Sequence, residues 1–180
     1  PEASQPARPG DRTKPGAAAA EPDQRLVRLV ELLFFAYRDF TGDPDAVLVK
    51  FGFGRAHHRV LHFVCRNPGI RVADLLDILK ITKQSLARVL KQLVDEGYIE
   101  QRAGVSDRRE RLLHVTRKGA NLAFELMELQ TARVGAALTQ AGPAAQAAAE
   151  RFLFGMIAPE ERDKVLELLR GQKVEPDGLS

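Results

Sequence analysis

Apolar residues recur at steps of three and four along most of the chain, a pattern that predicts a mainly helical protein. The first run predicts a helix from about residue 23 to residue 40, which the breaker segment Thr-Gly-Asp-Pro at 41–44 is expected to end. Residues 45–53 are expected to form a linker or a short irregular piece. A second helix is predicted over 54–67, because Asn-Pro-Gly at 67–69 stops its periodicity.

The middle of the chain predicts two further helices joined by a tight turn. The first is short and covers 72–79, and the second covers 83–96. Thr82 is the expected N-cap of the second helix, and Gly97 follows its last turn, where a glycine commonly ends a helix. Apolar residues of the short helix and the turn are expected to pack against one face of the longer helix. These residues are Leu75, Leu76, Leu79 and Ile81 on one side, and Leu86, Val89, Leu90 and Leu93 on the other.

Two short strands are predicted next, over 98–102 and 111–115. The segment between them contains Gly104, Ser106 and Asp107 and is rich in arginine, which predicts a hairpin with a charged tip. The order helix, turn, helix, strand, hairpin, strand predicts a winged helix-turn-helix.

A long helix is predicted from about residue 117 to residue 139, with Thr116 as its N-cap. Gly-Pro at 142–143 is expected to break the chain before a final helix over 144–170, which is expected to be interrupted near 158–159. The predicted fold class is therefore mainly α with a small β wing. The predicted divisions are a disordered tail at 1–20, helical segments at 21–53 and 117–172, a winged helix-turn-helix lobe at 54–116 and a frayed C-terminus at 173–180.

The composition suits a soluble protein of one domain with appendages. The 180 residues are 44% hydrophobic, and they contain neither an apolar run of the length that a membrane helix needs nor an apolar signal-peptide core, so a cytoplasmic location is expected. Cys65 is the single cysteine, which excludes an intrachain disulfide and zinc sites built from several cysteines. Residues 71–120 hold 11 Lys and Arg against 7 Asp and Glu, whereas 121–180 hold 6 against 9, so the basic charge lies in the middle of the chain.

The longer of the two central helices carries candidate DNA-binding residues on its outward face. Arginine can present two donors to guanine, and a glutamine amide can pair with adenine, so Arg88 and Gln84 are candidates for base contacts. A hydroxyl near a helix N-terminus is well placed beside a phosphate. The full set on this helix is Thr82, Lys83, Gln84, Ser85, Arg88 and Lys91. The alternative interpretation is an ordinary solvated face of a core helix, and the basic hairpin that follows favours the DNA interpretation.

The hairpin over 102–111 contains four arginines, at 102, 108, 109 and 111. A basic β-hairpin directly after a helix-turn-helix is typical of a wing that lies along the DNA backbone and inserts an arginine into the minor groove. Asp107 could hold Arg109 in position by a charge-assisted hydrogen bond. The candidate wing contacts are Asp107, Arg108, Arg109 and Arg111, and the alternative is a loop that only adds solubility.

These segments together resemble the MarR family of bacterial transcription regulators. The residues that carry the resemblance lie at 72–76, 81–86, 93–99, 107–109 and 112–119, and the similarity extends over about 24–170. The last two segments resemble the family's wing signature, Asp-x-Arg followed by a Leu-Thr-x-x-Gly junction between strand and helix. Tyr98 departs from the pattern, because the family more often has an aliphatic residue at this position.

The resemblance implies that the recognition helix is 82–96 and that Ser85 and its neighbours enter the major groove. It also implies that Asp107 and Arg109 form the wing tip, and that the first and last helices pair with their copies in a second subunit. A ligand pocket, if the protein has one, is expected between the dimerisation helices and the DNA-binding lobe.

The apolar residues near the C-terminus independently predict a homodimer, because they exceed what one winged-helix core can cover. They are Phe152, Leu153, Phe154, Met156, Ile157, Val165, Leu166, Leu168 and Leu169. Two-fold pairing would present two recognition helices to successive major grooves, about 34–36 Å apart. The expected target is therefore a pseudo-palindromic operator.

His58, His62 and Cys65 lie at positions i, i+4 and i+7, on one face of the second helix. Such a set could bind zinc or haem, or the thiol could sense oxidants. The more conservative interpretation is that they are ordinary core, surface or interface residues, and no cofactor is predicted.

The predicted function is a DNA-binding transcriptional regulator with double-stranded DNA, a second copy of the chain and a small-molecule effector as candidate partners, and no membrane partner. One alternative is a winged helix used only for protein–protein contact, and another is a regulator that senses metal, haem or redox state through His58, His62 and Cys65. The chain has no Gly-rich phosphate loop, no HExxH motif and no G-x-S-x-G motif, so it is not expected to be an enzyme.

Overall fold

The computed structural model describes residues 21–104 and 110–171. Within them the chain forms seven α-helices and one three-stranded sheet. The helices are α1 Gln24–Leu48, α2 Arg55–Arg66, α3 Val72–Leu79, α4 Lys83–Asp95, α5 Arg117–Ala141, α6 Ala145–Gly155 and α7 Arg162–Gly171, and the strands are β1 Ile70–Arg71, β2 Ile99–Ala103 and β3 Arg111–Val115. None of these helices is long and apolar enough to cross a membrane.

Residues up to Phe35 and residues from Ala36 onward form two separate units. The first unit is the N-terminal half of α1. Its apolar side chains are largely exposed: Leu26, Leu29, Val30, Leu32, Phe34 and Phe35. The second unit contains the rest of the described chain and its hydrophobic core.

The prediction that α1 ends at residue 40 is wrong, and so is the prediction of an irregular segment over 45–48, because the helix continues to Leu48 with Pro44 inside it. Thr41, Pro44 and Leu48 share one face of the helix, and all three are buried. The Thr41 hydroxyl donates to the carbonyl of Tyr37 at 2.9 Å. Packing of this face therefore outweighs the helix-breaking chemistry of Gly42 and Pro44.

The predicted helix-turn-helix is confirmed as α3, a short turn and α4. Lys80 ends α3 in the left-handed region, with φ 51°, and only Ile81 and Thr82 separate it from the start of α4. Leu75 and Leu79 of α3 are buried in one core with four residues of α4, and Leu76 and Ile81 are partly buried against that core. The four residues of α4 are Leu86, Val89, Leu90 and Leu93, as predicted.

The sheet has three strands in the order β1-β3-β2, of which β2 and β3 were expected. The two long strands pair antiparallel, from Ile99 opposite Val115 to Ala103 opposite Arg111. Strand β1 has only two residues, too few to show a period in the sequence, and it pairs Ile70 with Leu113 of β3. The predicted hairpin tip, with Asp107, Arg108 and Arg109, lies outside the described residues, as do the predicted tails at 1–20 and 173–180.

The C-terminal helices follow the prediction, with one difference. Thr116 caps α5, since its hydroxyl accepts a hydrogen bond from the backbone N–H of Gly119 at 3.1 Å. The expected helix over 144–170 is divided into α6 and α7. The break starts directly after Gly155, earlier than the predicted position near 158–159. The Arg162 side chain donates to the carbonyls of Gly155 and Ile157, which stabilises the break.

A close contact between α5 and the chain before β2 joins the sheet to the C-terminal helices. The backbone N–H of Thr116 donates to the carbonyl of Tyr98 at 3.0 Å, and the Thr116 hydroxyl donates to the carbonyl of Gly97 at 2.7 Å. At Gly119 a Cβ atom would lie only 2.0 Å from the Tyr98 carbonyl oxygen. Only glycine therefore allows α5 to pack here, and this gives the glycine of the Val-Thr-Arg-Lys-Gly junction at 115–119 a physical role.

We expect Gly119→Ala to lower the free energy of unfolding by about 2 kcal/mol or more, because the added methyl group meets backbone atoms that cannot rotate away. Chemical denaturation followed by circular dichroism measures the change.

Gly42→Ala is the matched control. Gly42 lies inside α1 with no atom within 4 Å of its hypothetical Cβ, so this substitution should leave stability unchanged or raise it by up to about 1 kcal/mol. A Gly119→Ala protein as stable as the wild type would contradict the close packing of α5.

Candidate nucleic-acid interface

The two faces of α4 separate apolar from polar side chains as the sequence predicts. Lys83, Gln84, Arg88 and Lys91 are exposed, and Ser85 is half-buried. The opposite face, with its four leucine and valine side chains, lies in the core. Among residues 21–104 and 110–171 the polar face thus takes no part in the core, and it is accessible to a partner.

The N-terminus of α4 is held by Thr82. Its hydroxyl oxygen accepts a hydrogen bond from the backbone N–H of Ser85 at 3.1 Å, and the hydroxyl group donates to Ser85 Oγ at 2.9 Å. Such a cap fixes the first turn of the helix. The positive end of the helix dipole and the Lys83 ammonium therefore lie at one exposed end of α4.

The cations of this face differ in their partners. Lys91 forms an ion pair with Asp95 one turn along α4. Lys83 and Arg88 have no ion pair with any other residue in 21–104 or 110–171. On the described part of the hairpin, Arg111 is exposed, whereas Arg102 is paired with Glu100. The unpaired positive charge is therefore concentrated in the first half of α4.

Arg71, which the sequence analysis did not single out, joins the described end of the hairpin to α3. Its guanidinium donates to both carboxylate oxygens of Asp74, at 2.7 and 2.8 Å, and lies 3.4 Å from Glu110 Oε1. The hydrogen bonds from Arg71 lower the pKa of Asp74. The sequence signal for this contact is limited to the i, i+3 spacing of Arg71 and Asp74, since Glu110 is 39 residues distant.

A second contact missed from the sequence holds the C-terminal half of α4. The backbone N–H of Gly54 donates to His57 Nδ1 at 3.1 Å, so the ring proton is assigned to Nε2, which lies 2.9 Å from Gln92 Oε1. The His57 ring stacks on Phe53 at 4.8 Å, and Phe53 in turn contacts the edge of Tyr98 at 5.0 Å. These contacts connect α4 to the start of α2, 35 residues earlier in the chain.

Comparisons with known proteins agree with this arrangement. Residues 51–110 match the model of the MarR family. The chain is also 49% identical over 140 residues to the HTH-type transcriptional regulator PetP of Rhodobacter capsulatus, an alignment that covers 78% of this chain and 84% of that protein. This chain belongs to the MarR family. It is therefore a DNA-binding transcriptional regulator and not an enzyme.

Solved structures of similar fold include MarR-family relatives bound to DNA. Streptococcus pneumoniae FabT in complex with DNA has a TM-score of 0.64 at 18% identity, over 82% of this chain and 99% of that one. A mutant MarR from E. coli complexed with operator DNA has a TM-score of 0.57 at 21% identity, over 76% and 97%. A SlyA-like regulator from Listeria monocytogenes has a TM-score of 0.59 at 20% identity, over 86% and 99%. At these identities the similarity establishes the winged-helix fold of this MarR-family chain.

His58, His62 and Cys65 of this MarR-family regulator lie on α2, and His58 is the most buried of them, at 8% exposure. Burial lowers the pKa of both histidines and raises the pKa of the Cys65 thiol, which disfavours the reactive thiolate. The described residues contain no group of three His, Cys, Asp or Glu side chains that could hold a metal ion. The burial of His58 and the packing of Cys65 against the core are what the conservative interpretation expects of core residues.

We expect Thr82→Ala to lower the free energy of unfolding by about 1 kcal/mol, because the N-terminal turn of α4 loses its side-chain cap. Thr82→Ser retains the hydroxyl and is the matched control. Equal loss of stability in both variants on thermal denaturation would show that the cap is not the cause.

Stability should depend on pH through His58. Burial holds its pKa in the folded protein below that of the unfolded chain, so the unfolded chain takes up the proton first as pH falls. The contribution of neutral His58 to the free energy of unfolding is fully present above the pKa of histidine in the unfolded chain, about 6.5. It is lost as pH falls from there toward the lower pKa of His58 in the folded protein. The free energy of unfolding measured between pH 7.5 and 5.5 should fall less in His58→Gln than in the wild type. An identical fall would contradict the burial of His58.

Proposed function

We propose that this MarR-family protein binds a pseudo-palindromic operator as a homodimer, with α4 of each subunit in a major groove. The observation that carries the proposal is the polar face of α4, which is exposed and holds two cations without ion pairs in the described residues. A helix packed on one face and cationic on the other fits the requirements of a recognition helix. FabT and a mutant MarR, which have a similar fold, were solved in complex with DNA, and this supports DNA as the partner.

The proposed roles follow from the chemistry of each side chain. Arg88 and Gln84 contact base edges, since their paired donors and acceptors match guanine and adenine. The phosphate contacts come from Thr82, Lys83, Ser85 and Lys91 at the helix and from Arg111 on β3. Lys91 is the least favoured of these phosphate contacts, because its ammonium group already forms an ion pair with Asp95. Asp107, Arg108 and Arg109 are proposed for the wing tip beside the minor groove.

The dimer is proposed from apolar surface that the single chain leaves uncovered. Phe152 and Leu153 of α6 and Met156, which directly follows that helix, are each at least half exposed, and Leu169 of α7 is 57% exposed. Exposed apolar area of this kind is typical of an interface. We propose dimerisation helices at 21–53 and 117–172 around a DNA-binding lobe at 54–116, which would present two copies of α4 about 34–36 Å apart.

We expect Arg88→Ala to lower affinity for the protein's preferred DNA by about tenfold to a hundredfold per subunit, because each bidentate base contact contributes about 1–3 kcal/mol of discrimination and the dimer loses two such contacts. Affinity for unrelated DNA should change much less. Lys83→Ala, which removes a phosphate contact, should weaken binding to both DNAs and reduce the salt slope by about one per subunit.

Arg151→Ala is the matched control, because Arg151 is an exposed arginine on α6, outside the proposed DNA-binding lobe. Fluorescence anisotropy at several salt concentrations measures all three variants, and sedimentation checks that the dimer is intact. If Arg88→Ala binds the preferred DNA as tightly as Arg151→Ala does, α4 is not the recognition helix.

A further inference from the structure

Lys80 lies at the turn between α3 and α4 in a backbone conformation that few residues other than glycine adopt. Its φ is 51°, and among residues 21–104 and 110–171 it is the one non-glycine residue with a positive φ. Glycine or asparagine would occupy this left-handed region at a lower cost in free energy. A lysine here is therefore unusual, and its side chain makes contacts that glycine or asparagine could not make.

The Lys80 ammonium group lies between two carboxylates on different parts of the chain. It is 2.9 Å from Asp77 Oδ1 of α3 and 2.9 Å from Glu161 Oε1, which belongs to the 3₁₀ turn before α7. Lys164 of α7 also pairs with Asp77. The pairs of Lys80 with Glu161 and of Lys164 with Asp77 therefore cross from the proposed DNA-binding lobe to the proposed dimerisation helices.

Arg59 of α2 restrains the same turn in a different way. Its guanidinium donates to the carbonyl of Leu79 at 3.1 Å. Both partners belong to the lobe at 54–116, so this hydrogen bond holds the turn within the lobe and does not orient the lobe against other helices. The ion pair between Lys80 and Glu161 can do so, because its partners lie on the two sides of the division.

The opposite end of α4 is joined to α5 by the contacts of Thr116 and Gly119 with the Tyr98 carbonyl. A helix held at one end can still pivot about that end, and α4, with 13 residues, is about 20 Å long. A pivot of about 10° would move its N-terminus by about 3.5 Å, close to the rise of about 3.4 Å per base pair. A second attachment, at the N-terminal end, therefore fixes the direction of α4 to within about one base pair of DNA.

We propose that Lys80 is a positioning residue: through its ion pair with Glu161 it sets the direction of α4 relative to the dimerisation helices, and with it the half-site spacing that the dimer accepts. This inference rests on the proposed function. Lys80 needs no contact with DNA in this role, since two carboxylates already engage its ammonium group. Exposed ion pairs contribute little to stability, so the expected effect is on spacing selectivity and not on folding.

Spacing selectivity is measured by fluorescence anisotropy on the full chain. The duplexes are the preferred inverted repeat, the same repeat with one base pair added or removed between its half-sites, and a single half-site. Selectivity is the ratio of the Kd for the altered spacing to the Kd for the preferred spacing, and the wild type should bind the preferred spacing most tightly.

Lys80→Asn removes the ammonium group but suits the left-handed backbone, so its melting temperature should match that of the wild type. Its spacing selectivity should fall by about fivefold, which corresponds to the upper range of an exposed ion pair, while its affinity for the single half-site stays unchanged. Glu161→Gln should have the same effect, and the double variant should lose no more than either single variant, because both remove one contact. Lys80→Arg keeps the charge and should retain the selectivity.

Glu160→Gln is the matched control, because it removes an exposed carboxylate of the same turn that has no ion pair within the described residues. If Lys80 instead contacted a phosphate, Lys80→Asn would weaken binding to every duplex and lower the salt slope by about one per subunit, and Glu161→Gln would behave like the control. That result overturns the proposal. So does a selectivity in Lys80→Asn and Glu161→Gln equal to that of Glu160→Gln.

Hydrogen exchange without DNA separates a failure of this inference from a failure of the proposed function. The backbone N–H of Lys80 donates to the carbonyl of Leu76 at 2.9 Å. Its exchange should be about fivefold faster in Glu161→Gln than in Glu160→Gln, because the turn opens more readily once the ion pair is lost. Equal rates would refute the restraint on the turn, whatever the protein binds. If the wild type binds no inverted repeat, the proposed function and the spacing role fail together, and the exchange rates still decide whether Glu161 holds the turn.

Discussion

The contact between Gly119 and the carbonyl group of Tyr98 is the constraint on which the arrangement of α4, the sheet and α5 depends. Because residue 119 has no Cβ, the first turn of α5 can lie directly against the backbone that follows α4. Thr116 donates two hydrogen bonds at the same point, and the Lys118 ammonium lies 4.1 Å above the Tyr98 ring and donates to the carbonyl of Glu96. These contacts therefore join the end of α4, the sheet and α5.

The Tyr98 contacts fix the C-terminus of α4 relative to α5. The hydrogen bond between His57 and Gln92 holds the last turn of α4 against the start of α2. The N-terminus of α4 is fixed by the Thr82 cap and the left-handed turn at Lys80. All of these restraints lie on the inward face or at the ends of α4. The outward side chains of α4 can therefore differ in sequence, and so in the DNA contacts proposed for them, without loss of fold stability.

The parts of the structure that follow from local chemistry could be predicted from the sequence. The two faces of α4, the caps at Thr82 and Thr116 and the glycine at 97 all depend on spacing within a few residues. The end of α1 could not be predicted, because burial of Pro44 and Leu48 outweighs the helix-breaking tendency of Gly42 and Pro44. The ion pair between Arg71 and Glu110 and the bond between His57 and Gln92 also left no signal, since their partners lie 39 and 35 residues apart.

The central claim is that two copies of α4, held rigidly by their α5 junctions, read two symmetric half-sites. Selection of bound sequences from a random pool of double-stranded DNA by the purified full chain tests this most directly. The account predicts an inverted repeat whose half-site centres are about one helical turn, 10–10.5 base pairs, apart. A single asymmetric half-site, or enrichment without any shared sequence, would contradict it.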